Sequence, residues 1–414
     1  MKNILVVGAG PAGMMAAIRA CQLGQRVTLI EKNSSAGRKL LLSGKGRCNL
    51  TNSCSLDSFL ERFSHGQFLR DAFKKFFNTD LMRFFEERGL RLTVERQQRV
   101  FPADERSAAV LDVLLKELER CKARVLYKTA LVELRVEGGK VTGASVSGGR
   151  FIEADAVVLA TGGVSYAFTG STGDGISIST RHGHTAVAPK PGLVPLLIKR
   201  DFEIPEGLTL KNIALSFCYG NKRFDTGVGE MIFTSLGISG PLVLTWSGKA
   251  LDLLAKGPVS VLLDFKPGLT RDQVEARLVR DFAASPRVNI KNLLKDYLPQ
   301  RMIAIFLSRA AIPADRKANQ VSQQERRALV GLFKEFKMEL SGSLSIEEAM
   351  VTRGGIPLKE IDPRTMGSRL VKGLYFCGEL IDVDADTGGF NLQAAFSTGY
   401  LAGESASAPA VPTA

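Results

Sequence analysis

The chain has 414 residues, room for two to four domains at roughly 100–200 residues each; its 45% hydrophobic and 23% charged residues exclude disorder, collagen and coiled coil. Lysine and arginine outnumber aspartate and glutamate by 55 to 42, a formal charge of +13, which admits phosphates, nucleic acid or an anionic membrane as partners without choosing among them. Six scattered cysteines with no CxxC pair and three histidines, His65, His182 and His184, exclude a disulfide framework or a metal centre by spacing and point to a reduced, cytoplasmic setting.

Asn3–Val7 reads as a short buried strand, Gly8–Gly13 as a glycine turn and residues 14–23 as a helix. Arg26–Ile30 is a second buried strand ending at Glu31, which completes a βαβ unit of a parallel sheet. The charge-free run between Lys2 and Arg19 mimics a signal peptide, but its glycines and its continuation into a strand and an acid argue against one. Residues 67–88 and 104–122 have helical periodicity. Phe68, Phe73, Phe76, Phe77, Phe84 and Phe85 mark apolar faces that read as core rather than as a nucleic-acid platform. Short strands at 131–136, 141–147 and 151–153, joined by glycine turns, form a meander, and 156–160 is another apolar strand ending in Thr161-Gly162-Gly163. Beyond Pro189–Pro195 the runs 194–198, 213–219, 241–245 and 259–265 read as strands. Residues 270–339 are mostly helical, with fourteen Lys and Arg against eight Asp and Glu, and 373–378 is one more buried strand. The expected architecture is an interrupted nucleotide-binding domain with a β-rich and helical insert near 190–345. No stretch holds eighteen consecutive apolar residues, so no membrane span is expected.

Gly8-x-Gly10-x-x-Gly13 sits between a strand and a helix, where its mechanism needs it. Gly8 permits the tight turn, Gly10 lets backbone approach a pyrophosphate, and Gly13 allows close helix–strand packing. The helix N-terminus offers N–H donors and partial positive charge to the anion. Glu31, eighteen residues after Gly13, is placed to accept ribose hydroxyls and would repel a 2′-phosphate, which disfavours NADP there. The fingerprint alone does not separate NAD from FAD; two further stretches favour FAD. One is Arg38-Lys39 through Ser43, Gly44, Lys45, Gly46, Arg47, Cys48 and Asn49, dense in glycine, cation and amide. It could be a solvated basic loop, but alternating glycines and cations suit backbone pressed on an anionic or planar ligand. The other runs from Phe376 through Gly378, Glu379, Asp382, Asp384 and Asp386 to Gly388-Gly389, Asn391 and Leu392. There a strand and acids lead into a Gly-Gly turn that opens an apolar helix, whose N–H groups could stabilise negative charge on a reduced isoalloxazine ring. The three aspartates also suit Ca²⁺ or Mg²⁺, but the EF-hand glycine offset is missing and no metal site is expected. Thr161 and Gly162 end a buried strand, where open α/β sheets place ligands. No second fingerprint follows a strand, so no separate NAD(P)H domain is visible.

On these motifs the chain resembles the aminoacetone oxidase/BaiN-like family of FAD-dependent oxidoreductases. The matching stretches are GAGPAG at 8–13, RKLLLSGKGRCNLTN at 38–52, LATGG at 159–163, TGSTGDG at 169–175, GEMIFTSLGISGP at 229–241, AMVTRGGI at 349–356 and GLYFCGELIDVDADTGGFNLQAAFSTGY at 373–400. The resemblance implies a Rossmann-like, two-dinucleotide-type flavoprotein fold interrupted by a β-barrel-like insert with a helical subdomain. The expected bounds are 1–190 and 356–404 for the FAD-binding domain, 191–269 and 340–355 for the insert, 270–339 for the helical subdomain, and a disordered tail at 405–414. It implies noncovalent FAD held by Gly10, Ala12, Glu31, Arg38, Lys39, Ser43, Gly46, Arg47, Asn49, Gly378, Asn391 and Leu392, with Val132 offering backbone to adenine. Members often carry His where this chain has Ser235, so an acid–base role there does not transfer.

The expected function is hydride transfer between flavin and a small organic substrate held between the cofactor domain and the insert, with NAD(P)H or oxygen as the other redox partner. Known activities of the family include oxidation of an amino-ketone and reduction of a steroid enone. Substrate-side candidates are Arg47, Thr234, Ser235, Thr352 and Arg353. His182, His184, Cys48 and Cys377 read as packing or inert residues. A competing expectation is a basic flavoprotein that binds or modifies nucleic acid. It is disfavoured because no RNA-binding motif is present and basic helices are usually solvated faces. Oligomeric state is not legible.

Overall fold

Ile4–Val7 is apolar at every position because it forms the middle of a sheet and is buried on both faces. In the computed structural model, which describes residues 1–409, the sheet is built from β1 (Asn3–Val7), β2 (Arg26–Ile30), β3 (Arg124–Leu126), β4 (Ala156–Leu159) and β5 (Leu374–Phe376). These five run parallel in the order β5-β4-β1-β2-β3. The short strands Gly367–Ser368 and Ile361–Asp362 extend the β5 edge antiparallel. Helix α1 (Pro11–Gln22) makes the crossover from β1 to β2, α2 (Ser107–Arg120) precedes β3, and α3 (Phe390–Ser407) follows β5.

Helices α1 and α3 touch backbone to backbone. A Cβ on Gly399 would sit 2.2 Å from the Ala12 carbonyl oxygen, and one on Gly403 would sit 2.3 Å from that of Ala16. These positions are four apart on each helix and so share a face. The seam continues to Arg19, which lies over the Tyr400 ring and pairs with Glu404 at 2.5 Å.

The chain divides into two compact units. One comprises the residues up to Gly192 and from Ile346 onward, and the other is Leu193–Ser345. The second unit is a closed six-stranded barrel of Leu196–Ile198, Gly237–Ser239, Lys222–Phe233, Thr209–Tyr219, Val259–Asp264 and Phe336–Ser343. Alternate residues such as Val259, Val261 and Leu263 are buried, as a period of two requires. Helices Arg271–Ala284 and Gln323–Lys334 each begin with a capping box, Thr270 with Gln273 and Ser322 with Glu325.

Four expectations need correction. Residues 241–245 open a helix, Pro241–Leu254, rather than a strand; Pro at its first position was the usable signal, and the all-apolar run Pro-Leu-Val-Leu-Thr carries no period to contradict it. The periodic stretch 67–88 breaks at extended Phe76 into Arg70–Lys75 and Asn78–Glu86, which lets Phe76 stack on Tyr400 at 4.5 Å. Phe336–Ser343 is a strand that closes the barrel, and residues 346–355 fall with the first unit because Val351–Gly355 pairs with Val187–Gly192. The expected disordered tail begins too early: α3 runs through Ser407 with Ala406 fully buried, and Lys2 Nζ donates to the Ala406 carbonyl at 3.2 Å. Residues 410–414 of that tail lie outside the described residues.

Gly403→Ala is expected to lower stability by about 1–3 kcal/mol, because the added methyl meets backbone that cannot give way. Gly331→Ala, in helix Gln323–Lys334 with no atom within 4 Å of the new methyl, is expected to raise it by up to about 1 kcal/mol. Chemical denaturation of both variants checks the pair of signs.

Candidate functional site

The site begins at the β1–α1 turn. Gly8 has φ +101° and a Cβ there would lie 2.5 Å from the Ala160 carbonyl oxygen, so the turn accepts only glycine. Gly10 is extended (φ −84°, ψ −179°) and gives α1 no side-chain cap. A Cβ on Gly10 would meet no protein atom within 4 Å. The N–H groups and partial positive charge of the first turn therefore face open space, the arrangement that binds phosphate. At the end of β2 the Glu31 carboxylate is buried and oriented by three donors. Its Oε2 accepts from the Ala9 N–H at 2.9 Å, and its Oε1 from the N–H and side-chain amide of Asn33, both at 2.8 Å. Arg38 is exposed and donates to Asn33 Oδ1 at 2.9 Å, so it orients the residue that orients Glu31.

The glycine-and-cation loop and the Gly-Gly turn, 340 residues apart in sequence, meet directly. The Asn49 amide takes the orientation in which its oxygen accepts from the Gly389 N–H at 3.0 Å and its nitrogen donates to the Thr51 carbonyl at 3.2 Å. Asn52 donates to the Gly388 carbonyl at 3.2 Å, and the Thr51 hydroxyl bonds Gln393 Oε1 at 2.6 Å. Gly389, at φ +95°, has Thr51 backbone 2.4 Å from where a Cβ would be. Within the loop Gly44, Lys45, Gly46 and Cys48 are all left-handed, with φ between 57° and 86°, and two of them are not glycine. That is a strained segment of the kind the surrounding structure must hold in place. Ser43 stays inside it, donating to the Leu40 carbonyl at 2.6 Å while its own carbonyl accepts from Cys48 N–H at 3.0 Å.

At the carboxyl ends of β4 and β5 a second polar cluster forms. Lys39 Nζ lies 2.6 Å from Glu379 Oε2 and 2.7 Å from Ser165 Oγ, and Glu379 Oε1 accepts from the Thr352 N–H at 2.6 Å. Gly378 presses on Ala12, and its N–H donates to the Thr398 hydroxyl of α3 at 3.0 Å. Gly13 packs against Gly8 and Ala160. Thr161 Oγ1, just past β4, is buried with no hydrogen-bond partner, and Gly162 turns there at φ +75°. The sheet edge thus collects Gly8, Gly10, Ala12, Gly13, Glu31, Lys39, Thr161, Gly162, Gly378 and Glu379.

Other candidates are already engaged. Arg47 lies over the Phe101 ring and pairs with Glu95 and with Glu105, a brace across its loop. The Thr352 hydroxyl is buried and accepts from the N–H groups of Val164 and Ser165 at 2.9 and 3.0 Å. Arg353 faces Asp384 at 4.0 Å. The Asn391 amide clasps the backbone of Ala385 and Asp386, Leu392 is half-buried beside it, and Asp386 faces Arg62 at 3.6 Å. Val132 is exposed at a bulge of the meander. Thr234 and Ser235 belong to the other unit, on the turn between two barrel strands; the Thr234 hydroxyl accepts from the Gly237 N–H at 3.1 Å and Ser235 is exposed. Asn33, Ser165, Gln393 and Thr398 were not legible as site residues, since single polar residues without a motif carry no signal. Burial pushes the Cys48 thiol up to about 12 and also raises that of Cys377, so neither supplies a thiolate.

His184 is buried, with Nδ1 at 3.0 Å from Glu360 Oε2 and Nε2 at 2.9 Å from Ser368 Oγ. It ties the turn after helix Asp174–Arg181 to the sheet's antiparallel edge, a packing role. His182 pairs with Glu133 at 2.7 Å.

A family model described as HI0933-like protein Rossmann domain matches residues 2–405. The chain is 31% identical over 409 residues to a 3-dehydro-bile acid delta(4,6)-reductase of Clostridium scindens, covering 98% of this chain and 99% of that protein. It is 28% identical over 399 residues to a ribosomal RNA dihydrouridine synthase of Escherichia coli, covering 96% of each. Among solved structures, a 3-ketosteroid delta1-dehydrogenase from Sterolibacterium denitrificans shares the fold, with a TM-score of 0.53, 15% identity, and coverage of 98% of this chain and 99% of that one.

Burial holds the His184 imidazole below its ordinary value of 6.5 despite the neighbouring Glu360 carboxylate. The unfolded chain therefore binds this proton at a higher pH than the folded chain, and stability falls as pH drops through 6.5 toward the folded value. Glu360 is held below its ordinary 4.5, so its own loss of stability comes only at lower pH. His184→Gln is expected to be less stable at about pH 8 and to show a shallower decline between about pH 8 and pH 5, read by denaturant titrations across that range.

Proposed function

The chain belongs to the HI0933-like Rossmann family of flavoproteins, and from that premise we propose that it is an FAD-dependent reductase that saturates a carbon–carbon double bond conjugated to a carbonyl. The observation that carries the reading is the uncapped α1 N-terminus opening on Gly10, with the oriented Glu31 carboxylate beside it. This combination fits a dinucleotide: N–H groups for the pyrophosphate, an acid for the ribose hydroxyls, and open space where a side chain would intrude. Bound flavin would supply hydride-transfer chemistry. Gly10, Ala12 and Gly13 would hold its diphosphate and Glu31 its ribose, with Arg38 acting through Asn33. Lys39 and Glu379 would bond its polyol chain, and the backbone from Ser43 to Asn49 together with the N–H groups at Gly389 would line its ring. Thr161, Gly162, Val132 and Leu392 complete the proposed set.

Both relatives named above point to the bond type. A 3-dehydro-bile acid delta(4,6)-reductase acts on double bonds conjugated to a ring ketone, and a dihydrouridine synthase saturates the double bond beside a uracil carbonyl. A nicotinamide coenzyme diffusing in from solvent is the proposed electron source.

A second reading, in which the reduced base lies in RNA, is favoured by the +13 charge and by the fourteen cations against eight acids in residues 270–339. A mobility shift of ribosomal RNA that weakens steeply with salt, together with dihydrouridine in the product, would select it over the small-molecule reading.

Purified protein is expected to be yellow, to release its flavin on denaturation, to bleach anaerobically with NADH or NADPH, and to regain colour on adding a conjugated enone. Protein that stays colourless when supplied with FAD would sink the proposal. Gly10→Val supplies the structural control. Its backbone is ordinary for any residue and its Cβ meets no protein atom, so the variant is expected to fold with an unchanged melting curve while losing flavin affinity at least about tenfold.

A further inference from the structure

At the tip of the hairpin formed by Leu92–Val94 and Arg99–Pro102, Gln97 and Gln98 both stand in the left-handed region, at φ 61° and 59°. Neighbouring non-glycine residues there are strained, because each Cβ crowds the adjoining backbone. Backbone contacts hold them in place. The Gln97 carbonyl accepts from Asn52 Nδ2 at 3.0 Å, the Gln98 carbonyl from the Ser53 N–H at 2.8 Å, and the Arg99 carbonyl from the Glu95 N–H at 2.8 Å. The side chains take no part in this. Both are exposed, and neither side-chain amide bonds another described residue. Glycine would adopt this backbone freely, so the tip keeps two side chains that strain the fold without bracing it, a pattern found at binding sites.

Asn52 fixes where the tip stands. It is buried, and its short strand Thr51–Asn52 pairs with Arg99 and Val100 of the hairpin. The same Nδ2 that bonds the Gln97 carbonyl donates to the Gly388 carbonyl at 3.2 Å. A single side-chain nitrogen therefore separates the hairpin tip from the Gly388-Gly389 turn, the turn whose Gly389 N–H lines the ring in the reading above.

We propose that Gln97 and Gln98 are specificity-determining residues whose side-chain amides bind the ring carbonyl of the substrate, the ketone of an enone or the carbonyl of a pyrimidine base. The proposal rests on the flavin reading of the site. A primary amide offers two N–H donors to a carbonyl oxygen and one acceptor to a neighbouring ring N–H. The strained backbone sets both amides at one tip, and Asn52 ties that tip to the turn beside which the reducible bond would lie.

The test uses the full-length protein loaded with FAD and reduced by dithionite, with cyclohex-2-enone and uridine as separate oxidants. The matching saturated products, cyclohexanone and dihydrouridine, serve as ligands read by the change they cause in the oxidised flavin spectrum. Gln97→Glu/Gln98→Glu keeps the side-chain length but replaces each N–H donor group with an acceptor. It is expected to raise the KM of the oxidant that the wild type accepts, and the Kd of its product, at least about tenfold, with flavin affinity unchanged. Gln97→Gly/Gln98→Gly is expected to weaken both to the same extent and to leave the denaturation midpoint of the apoprotein at or above that of the wild type. Turnover of the enone assigns a ketone to the tip, and turnover of uridine a pyrimidine carbonyl. Unchanged KM and Kd in either variant would overturn the proposal, as would a Gly variant that unfolds more easily than the wild type, since the glutamines would then be structural. Wild-type protein that binds FAD but is reoxidised by neither compound would overturn the reductase reading and this proposal together.

Discussion

Two helices approach so closely that no side chain fits between them, and the rest of the cofactor domain is arranged around that contact. Gly399 and Gly403 of α3 lie against the backbone of Ala12 and Ala16 of α1. One helix follows the first strand of the chain and the other follows the last strand of the sheet, so the contact sets the position of one N-terminus against the other. Both N-termini carry the partial positive charge of a helix start. Any residue larger than glycine at these positions would force the helices apart and shift the N-termini together with them.

Around that seam the polar residues serve mainly to orient one another. Glu31 is held by Ala9 and Asn33, Asn33 by Arg38, and Glu379 by Lys39, Ser165 and Thr352. Asn49 and Asn52 fasten the strained loop to the Gly388-Gly389 turn. Such chains keep buried polar atoms satisfied and limit each side chain to one geometry, the condition for a cofactor to be bound in a single pose. Thr161 Oγ1, buried and without a partner, stands out against this pattern at the same edge.

The parts of the fold that were legible were those with a local cause. The βαβ unit followed from apolar runs, glycine spacing and an acid at the strand end, and the meander from alternation broken by Gly138-Gly139 and Gly148-Gly149. The stretch 270–339, expected to be mostly helical, does hold two helices that begin with capping boxes at Thr270 and Ser322. Errors fell where local patterns are silent: Pro241–Leu254 starts with an unbroken apolar run that suits strand or helix equally, and the break at Phe76 is imposed by stacking on Tyr400 from a helix more than 300 residues away.

By itself the sequence determined the βαβ unit, the meander and the glycine turn between β1 and α1, because each depends on residues within a few positions of one another. Only the tertiary structure decided that Thr352 and Arg47 are occupied in holding loops and that Asn391 clasps its own turn. Those outcomes depend on which side chains are brought together from distant segments, and pairing across the fold leaves no periodic trace in the order of residues.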